Sequence, residues 1–233
     1  MNDLIEIGLK YETDKQNRHK YLFSYEKYMN PYREYPIKIF EIGIASGGSL
    51  LIWNEYLHND STIYGIDIVN PIQKDDLINN GCIIEIVNQR SRADVTAFVE
   101  KHGTFDIIID DGDHQPLSQQ MCLGMLFKYV NPGGLYIIED LHTSYNSVRL
   151  NMDHTEHSTI EVLKNLRDKE IIISDFMFDV EISYVVENTE CCEINRYDTE
   201  LQQTIDVTTL EINTRLSSNK QVIPSEIAFI RKK

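Results

Sequence analysis

Residues 37–53, IKIFEIGIASGGSLLIW, carry the pattern from which the architecture follows. A near-continuous apolar run breaks at Gly43 into a short glycine-containing segment, after which Leu50 and Trp53, with Leu57 beyond, recur at helical spacing. Buried strand, tight turn and helix in that order make the unit from which a doubly wound α/β sheet is built.

Four further runs repeat the pattern: TIYGIDI (62–68), CIIEIVN (82–88), FDIIIDD (105–111) and GLYIIED (134–140). Such runs suit strands covered on both faces, and the helix-sized spacers between them supply right-handed crossovers. Pro116 suits the first turn of a helix that carries Leu117 and Met121 and stops at NPGG. The expected architecture is therefore a doubly wound, mostly parallel sheet.

Residues 1–36, with Tyr11, Tyr21, Tyr25, Tyr28, Tyr32 and Tyr35, read as a helical cap or lid leading into Pro36 and a main domain over 37–233. Aromatic packing is the simplest role for those tyrosines. Further on, STIEVLKNLRDKE predicts a helix, EISYVVE (181–187) a strand and SEIAFIRKK a closing strand, while residues 188–222 fit a hairpin or a long loop.

The composition bounds the function. The chain has 233 residues, 42% hydrophobic and 25% charged, enough for one well-buried core. A net charge of −15 argues against a nucleic-acid or anionic-membrane partner, which would need a concentrated basic surface. No run approaches the length of a membrane span and the N-terminus lacks a basic start and apolar core, so a cytoplasmic location is expected. Cys82, Cys122, Cys191 and Cys192 lack paired C-x-x-C spacing and read as free thiols.

EIGIASGGS (41–49) stands where a doubly wound fold binds a nucleotide-like cofactor. A dinucleotide fingerprint read from Gly43 needs glycine at 45 and 48; Gly48 is there, but Ala45 replaces the glycine that lets a pyrophosphate approach. What remains is E-x-G-x-x-x-G, formed by Glu41, Gly43 and Gly47, with Ser49 opening the helix. Twenty-four residues after Gly43, Asp67 ends the second strand, where a carboxylate can accept two ribose hydroxyls.

Two acidic clusters end neighbouring strands: Asp110, Asp111 and Asp113 with His114 after the fourth, Glu139 and Asp140 after the fifth. Asp111, Glu139 and Asp140 brought together would repel unless a cation sits among them, and oxygen ligands suit Mg²⁺ or Mn²⁺. Helix capping competes as an explanation and accounts for Asp113 better than for Glu139. His114, three residues after Asp111, is placed to take a proton from a hydroxyl. His142 is a rival base or a substrate binder, and His19, His58, His102, His154 and His157 are expected at the surface.

YETDKQNRHKY, EIGIASGGSLLIW, GIDI, FDIIIDDGDH, NPGGLYIIEDLHTSY and EIAFIRK together resemble the metal-dependent, S-adenosylmethionine-dependent sugar O-methyltransferases of macrolide biosynthesis, the mycinamicin type among them. The resemblance covers residues 8 to 146 and, beyond them, the last strand. It implies a seven-stranded class I methyltransferase sheet, with S-adenosylmethionine contacted by Glu41, Gly43, Gly47, Ser49, Asp67, Gln89 and Asp110. It also implies Mg²⁺ or Mn²⁺ on Asp111, Glu139 and Asp140, His114 as base, His142 and Tyr145 toward the acceptor, and a homo-oligomer. The expected acceptor is a sugar hydroxyl on a nucleotide sugar, glycan or glycosylated natural product.

The chain departs from the family at NQRS, where Gln89 replaces an acid near the adenine, and at EDLHTSY, where His142 replaces a glutamine. Thr13, Asp14 and Lys15 in ETDK are placed either to fold over the cofactor or to cap a helix. Competing readings are a catechol-type O-methyltransferase, a scaffold that keeps the fold without activity, and a nicotinamide oxidoreductase, which Ala45 disfavours.

Overall fold

A computed structural model describes residues 4–11, 13–145, 155–197, 204–206 and 224–233. The N-terminal segment forms α1 (Leu4–Gly8), α2 (Asp14–Asn17) and α3 (Leu22–Met29). Alternation then follows as expected: β1 (Lys38–Ile42), α4 (Gly48–Tyr56), β2 (Thr62–Asp67), α5 (Lys74–Asn79), β3 (Ile83–Ile86), α6 (Arg92–His102), β4 (Phe105–Asp110), α7 (Pro116–Leu126) and β5 (Val130–Ile138). The remainder comprises α8 (Thr159–Asp168), α9 (Asp179–Asn188), β6 (Thr189–Tyr197), β7 (Thr204–Asp206) and β8 (Ser225–Lys232).

The strands lie in the order β3-β2-β1-β4-β5-β8-β6, with the three-residue β7 added at the edge. Strands β1 to β5 pair in parallel, and β8 runs antiparallel between β5 and β6. The expected seven-stranded, mostly parallel sheet is thus present, extended by one short strand. The chain reverses direction of winding between β1 and β4, so the loops after these strands diverge to opposite faces and leave a crevice at their carboxyl ends.

Alternate residues on each strand feed two apolar layers. Phe40, Ile42, Ile66, Ile108, Tyr136 and Ile138 pack with α6, α7 and α8 on one face. Ile39, Ile63, Ile107, Ile109, Leu135 and Phe229 pack on the other with Leu50 and Trp53 of α4 and with Leu4, Tyr21, Leu22 and Tyr25 of the N-terminal segment. The N-terminal helices therefore share a core with the sheet, which fixes their side chains relative to the strand ends.

The strand expected at EISYVVE is a helix. Glu181 accepts a hydrogen bond from the Phe178 N–H (2.9 Å) at the start of α9, and its carboxylate is clamped by Arg92 at 2.6 and 3.1 Å. Those end contacts favour the helical turn over the β propensity of Val185 and Val186. Of the 188–222 region, β6 and β7 are described; the segments 198–203 and 207–223 lie outside the described residues, as does His154.

Candidate active site

The loop after β1 is shaped by close approach. Gly43 adopts φ +79°, and a Cβ there would stand 2.2 Å from the Asp111 carbonyl oxygen at the end of β4. Only glycine satisfies both demands. The Asp67 Oδ2 accepts from the N–H groups of Ile44 and Ala45, each at 3.0 Å, and so holds Ala45 at φ 45° without a glycine.

Above this loop lies a cavity of about 350 Å³. Gly43, Ser49, Asp67, Asp111 and His114 line it together with Thr13, Asp14 and Lys15 of the N-terminal segment. A narrower, more apolar cavity of about 200 Å³, walled by Ile66, Ile68, Val87 and Gln89, also borders Gly43, Asp67 and Gly112. The two adjoin, sharing Gly43, Asp67 and Gly112 as a common wall. Thr13 also caps α2 by accepting from the Lys15 N–H (3.3 Å), so the helix cap and the cavity wall share this residue.

Of the expected contact residues, Glu41, Asp110 and Gly47 do not line the cleft, while Gln89 lines its narrower part. Glu41 is fully buried and accepts from Ser49 Oγ (2.7 Å) and Trp53 Nε1 (2.6 Å). Gln89 donates to Asp110 Oδ1 (2.6 Å) and accepts from the Asp113 N–H (3.0 Å), leaving its amide braced against the protein. Asp110 lies behind it, fully buried, its carboxyl pushed up to about 7 by burial and by the charge of Asp113. Gly47, at φ +97°, gives room to Leu77 of α5 and is not on the cleft wall. Asp113 does what the capping reading required, accepting from the Gln115 N–H (3.0 Å) and Ser118 Oγ (2.8 Å) at the head of α7.

The acids meet a cation supplied by the chain itself. Lys15 is 1% exposed, and its Nζ is 2.6 Å from Glu139 Oε1, 3.3 Å from Glu41 Oε1 and in contact with Asp111 Oδ2. Burial opposes the charge, but the surrounding Asp111, Glu139 and Glu41 carboxylates outweigh it and hold the ammonium well above its ordinary pKa. Glu139 is raised to about 7, chiefly by burial, although Lys15 acts to lower it. Tyr25 donates its hydroxyl to the same Glu139 oxygen.

Asp111, His114 and Asp140 converge, each offering a ligand atom within 4.8 Å of the others. His114 (φ 57°) and Asp140 (φ 55°) both hold left-handed backbone conformations, and Thr143 Oγ1 links the two loops by donating to the carbonyls of both. Strain of this kind, about 1–3 kcal/mol per residue, persists where surrounding contacts enforce it. The donor set fits a hard divalent cation at Asp111 and Asp140; Glu139 stands beside them with Oε1 engaged by Lys15 and Tyr25.

His19 is not at the surface as expected. It is 5% exposed, with Nδ1 2.6 Å from Ser225 Oγ and 3.6 Å from Asp140 Oδ1. Tyr21 donates its hydroxyl to the same Asp140 oxygen (2.8 Å). His102 is likewise largely covered, paired with Glu85 at 2.5 Å. His142 stacks on His19 with ring centroids 5.7 Å apart, and burial lowers the pKa of both imidazoles against the opposing pull of Asp140. Tyr145 donates to Glu226 Oε1 (3.2 Å), away from the cleft. The roles of His19, Tyr21 and Tyr25 and the cationic role of Lys15 leave one local signal in the sequence, a polar motif inside an aromatic helical segment.

The glycine loop, Asp67, Asp111 and His114 thus share one cleft at the carboxyl ends of β1, β2 and β4, with Glu139 and Asp140 from the end of β5 beside Lys15 and His114. Residues 40–141 match the family described as "Methyltransferase domain". This methyltransferase-like segment holds the glycine loop, Asp67, Asp111, His114, Glu139 and Asp140. The expected resemblance is borne out among curated proteins. The chain is 32% identical over 150 residues to the 8-demethyl-8-alpha-L-rhamnosyl tetracenomycin-C 2'-O-methyltransferase of Streptomyces olivaceus, covering 61% of this chain and 38% of the relative. It is 33% identical over 152 residues to the mycinamicin VI 2''-O-methyltransferase of Micromonospora griseorubida, covering 61% and 37%. The chain therefore aligns with under two fifths of the length of these relatives. Among solved structures, the MycE methyltransferase of the mycinamycin biosynthetic pathway, in complex with Mg and SAH, superposes with a TM-score of 0.71 at 24% identity, over 99% of this chain and 55% of that one. The class I methyltransferase fold is thereby shown. Among the described residues no helix is long and apolar enough to cross a membrane.

Proposed function

We propose that the protein is an S-adenosylmethionine-dependent O-methyltransferase, aided by a divalent cation, that methylates a sugar hydroxyl on a glycosylated natural product, nucleotide sugar or glycan. The observation that carries this reading is the position of His114. It shares one cavity with Gly43, Ser49 and Asp67 while facing Asp111 and Asp140.

The methionine end of the donor fits the wider cavity beside Gly43 and Ser49, the ribose the Asp67 carboxylate, and the adenine the apolar slot between Ile66, Ile68 and Val87. Glu41 acts through Ser49 and Lys15 rather than by contact. Gln89 and Asp110 shape the adenine slot by bracing each other, and Gly47 lets α4 start close to α5. Asp111 and Asp140 would hold Mg²⁺ or Mn²⁺, with Glu139 as third ligand through its second oxygen. When bound, such an ion supplies Lewis acidity toward vicinal hydroxyls. His114 accepts the proton of the hydroxyl whose oxygen attacks the sulfonium methyl carbon; the C–S bond breaks and the donor leaves as a thioether. Positioning and water exclusion by residues 13–15 supply much of the remaining acceleration.

Relatives named for methylating rhamnosyl and mycinamicin sugars, and the MycE complex with mycinamycin VI, support a glycoside acceptor. The net charge of −15 supports an acceptor other than nucleic acid. Calorimetric titration of S-adenosylmethionine, its demethylated product and NAD, with and without Mg²⁺, tests the donor. Micromolar binding of the first two is expected, and binding of NAD alone would overturn the reading. A screen of glycosides against catechols then tests the acceptor, turnover on catechols alone being the contrary result.

A further inference from the structure

One carboxylate is surrounded by three imidazoles. Asp140 turns Oδ2 toward His114 Nε2 (3.6 Å) and Oδ1 toward His19 Nδ1 (3.6 Å) and His142 Nδ1 (3.8 Å). These separations are too long for hydrogen bonds. They are close to what two ligands of one ion require: atoms about 2.1 Å from a tetrahedral metal stand about 3.4 Å apart. Nδ1 of His142 is buried and makes no hydrogen bond, an orphan donor or acceptor of the kind that native structures rarely leave unexplained.

We propose that His19, Asp140 and His142 form a second, nitrogen-rich cation site that takes a borderline transition-metal ion such as Zn²⁺ or Co²⁺ in preference to Mg²⁺. Their ligand atoms all lie within 4.8 Å of one another. Two imidazoles and one carboxylate are the donor set such ions favour, whereas Mg²⁺ keeps to oxygen. Tyr21, donating to Asp140 Oδ1 at 2.8 Å, fixes the carboxylate as an outer partner does in metal sites. Ser225 Oγ, 2.6 Å from His19 Nδ1, turns aside or joins the ion as a further oxygen ligand. The site uses Asp140 Oδ1, whereas His114 approaches Oδ2, so an ion there shares Asp140 with the oxygen site without using Asp111 or Glu139.

The test is titration of Co²⁺ into the purified, metal-free full chain, followed by visible absorption and by the paramagnetically shifted imidazole resonances. At least two shifted imidazoles are expected in the wild type. His142→Gln should remove one of them and weaken Co²⁺ binding at least tenfold, and Asp111→Asn should leave both resonances in place. A spectrum with no shifted imidazole, or with only the one that His114 accounts for, would overturn the proposal, as would Co²⁺ binding that survives His142→Gln and disappears in Asp111→Asn. The wild-type spectrum decides the matter even if a variant fails to fold. None of these readouts depends on methyl transfer, so absent donor binding would count against the proposed function and leave this site standing.

Discussion

Lys15 Nζ lies 2.6 Å from Glu139 Oε1, although 124 residues separate the two in the chain. The contact places an ammonium from the N-terminal segment among three carboxylates that would otherwise face one another in a dry interior. Removing one partner of such a cluster leaves uncompensated charge, at a cost of about 3–5 kcal/mol. Lys15→Met should therefore lower the denaturation temperature of the metal-free protein sharply, and millimolar Mg²⁺ should recover part of the loss. Thermal unfolding with and without Mg²⁺ measures both; an unchanged transition would mean that Lys15 contributes no net stabilisation.

His114 and Asp67 line the same cavity but should fail differently. His114→Ala is expected to lower turnover by about 10²–10⁴-fold while leaving donor affinity unchanged, as for loss of a general base. Asp67→Ala should weaken S-adenosylmethionine and its product by at least about tenfold, because it loses charged hydrogen bonds to the ligand and frees the Ile44 and Ala45 N–H groups. Paired calorimetry and initial rates separate the two. Unchanged turnover in His114→Ala would remove it from the mechanism.

Gly43 and Gly81 have nearly the same φ, +79° and +81°, but opposite surroundings. An added Cβ meets the Asp111 backbone at 2.2 Å in the first case and nothing within 4 Å in the second. Gly81→Ala should cost only the left-handed strain, about 1–2 kcal/mol. Gly43→Ala should cost several times more, because the end of β4 must move with it. Chemical denaturation of the two variants gives the comparison, and equal losses would contradict the packing argument.

Asp110 sets a pH dependence. Its carboxyl is pushed up from 3.8 to about 7, chiefly by burial, so the folded state binds a proton that the unfolded chain releases. Its contribution to stability is full below about pH 4 and is lost as pH rises through 7. Asp110→Asn should match the wild type near pH 4 and exceed it near pH 8 in the metal-free protein. Glu139, also raised to about 7, gives a residual slope of the same sign in the variant. A variant less stable than wild type at pH 8 would refute the burial argument.

The β-α alternation, the turn at Gly43, the register of Asp67 and the placement of Asp111, His114, Glu139 and Asp140 at neighbouring strand ends are all legible in the chain. Each of these is a local pattern: apolar period, glycine position, or polar residues at the end of a buried run. The helix at 179–188 is hidden in the sequence because Val185 and Val186 carry β propensity, while the Glu181–Arg92 clamp that favours the helix spans 89 residues. Gln89 lines the slot beside Asp67 as its place in the chain suggests, whereas Asp110 is buried behind it and meets Gln89 instead of the slot, since side-chain direction at a strand end depends on what packs behind it. Long-range packing alone sets Lys15 on Asp111 and Glu139, gives Asp140 the Tyr21 hydroxyl as hydrogen-bond donor and brings His19 beside it. Contacts made across 96 to 124 residues leave no periodic trace in the chain; they arise because the N-terminal helices bury Tyr21, Leu22 and Tyr25 against the sheet and carry their polar neighbours to the strand ends.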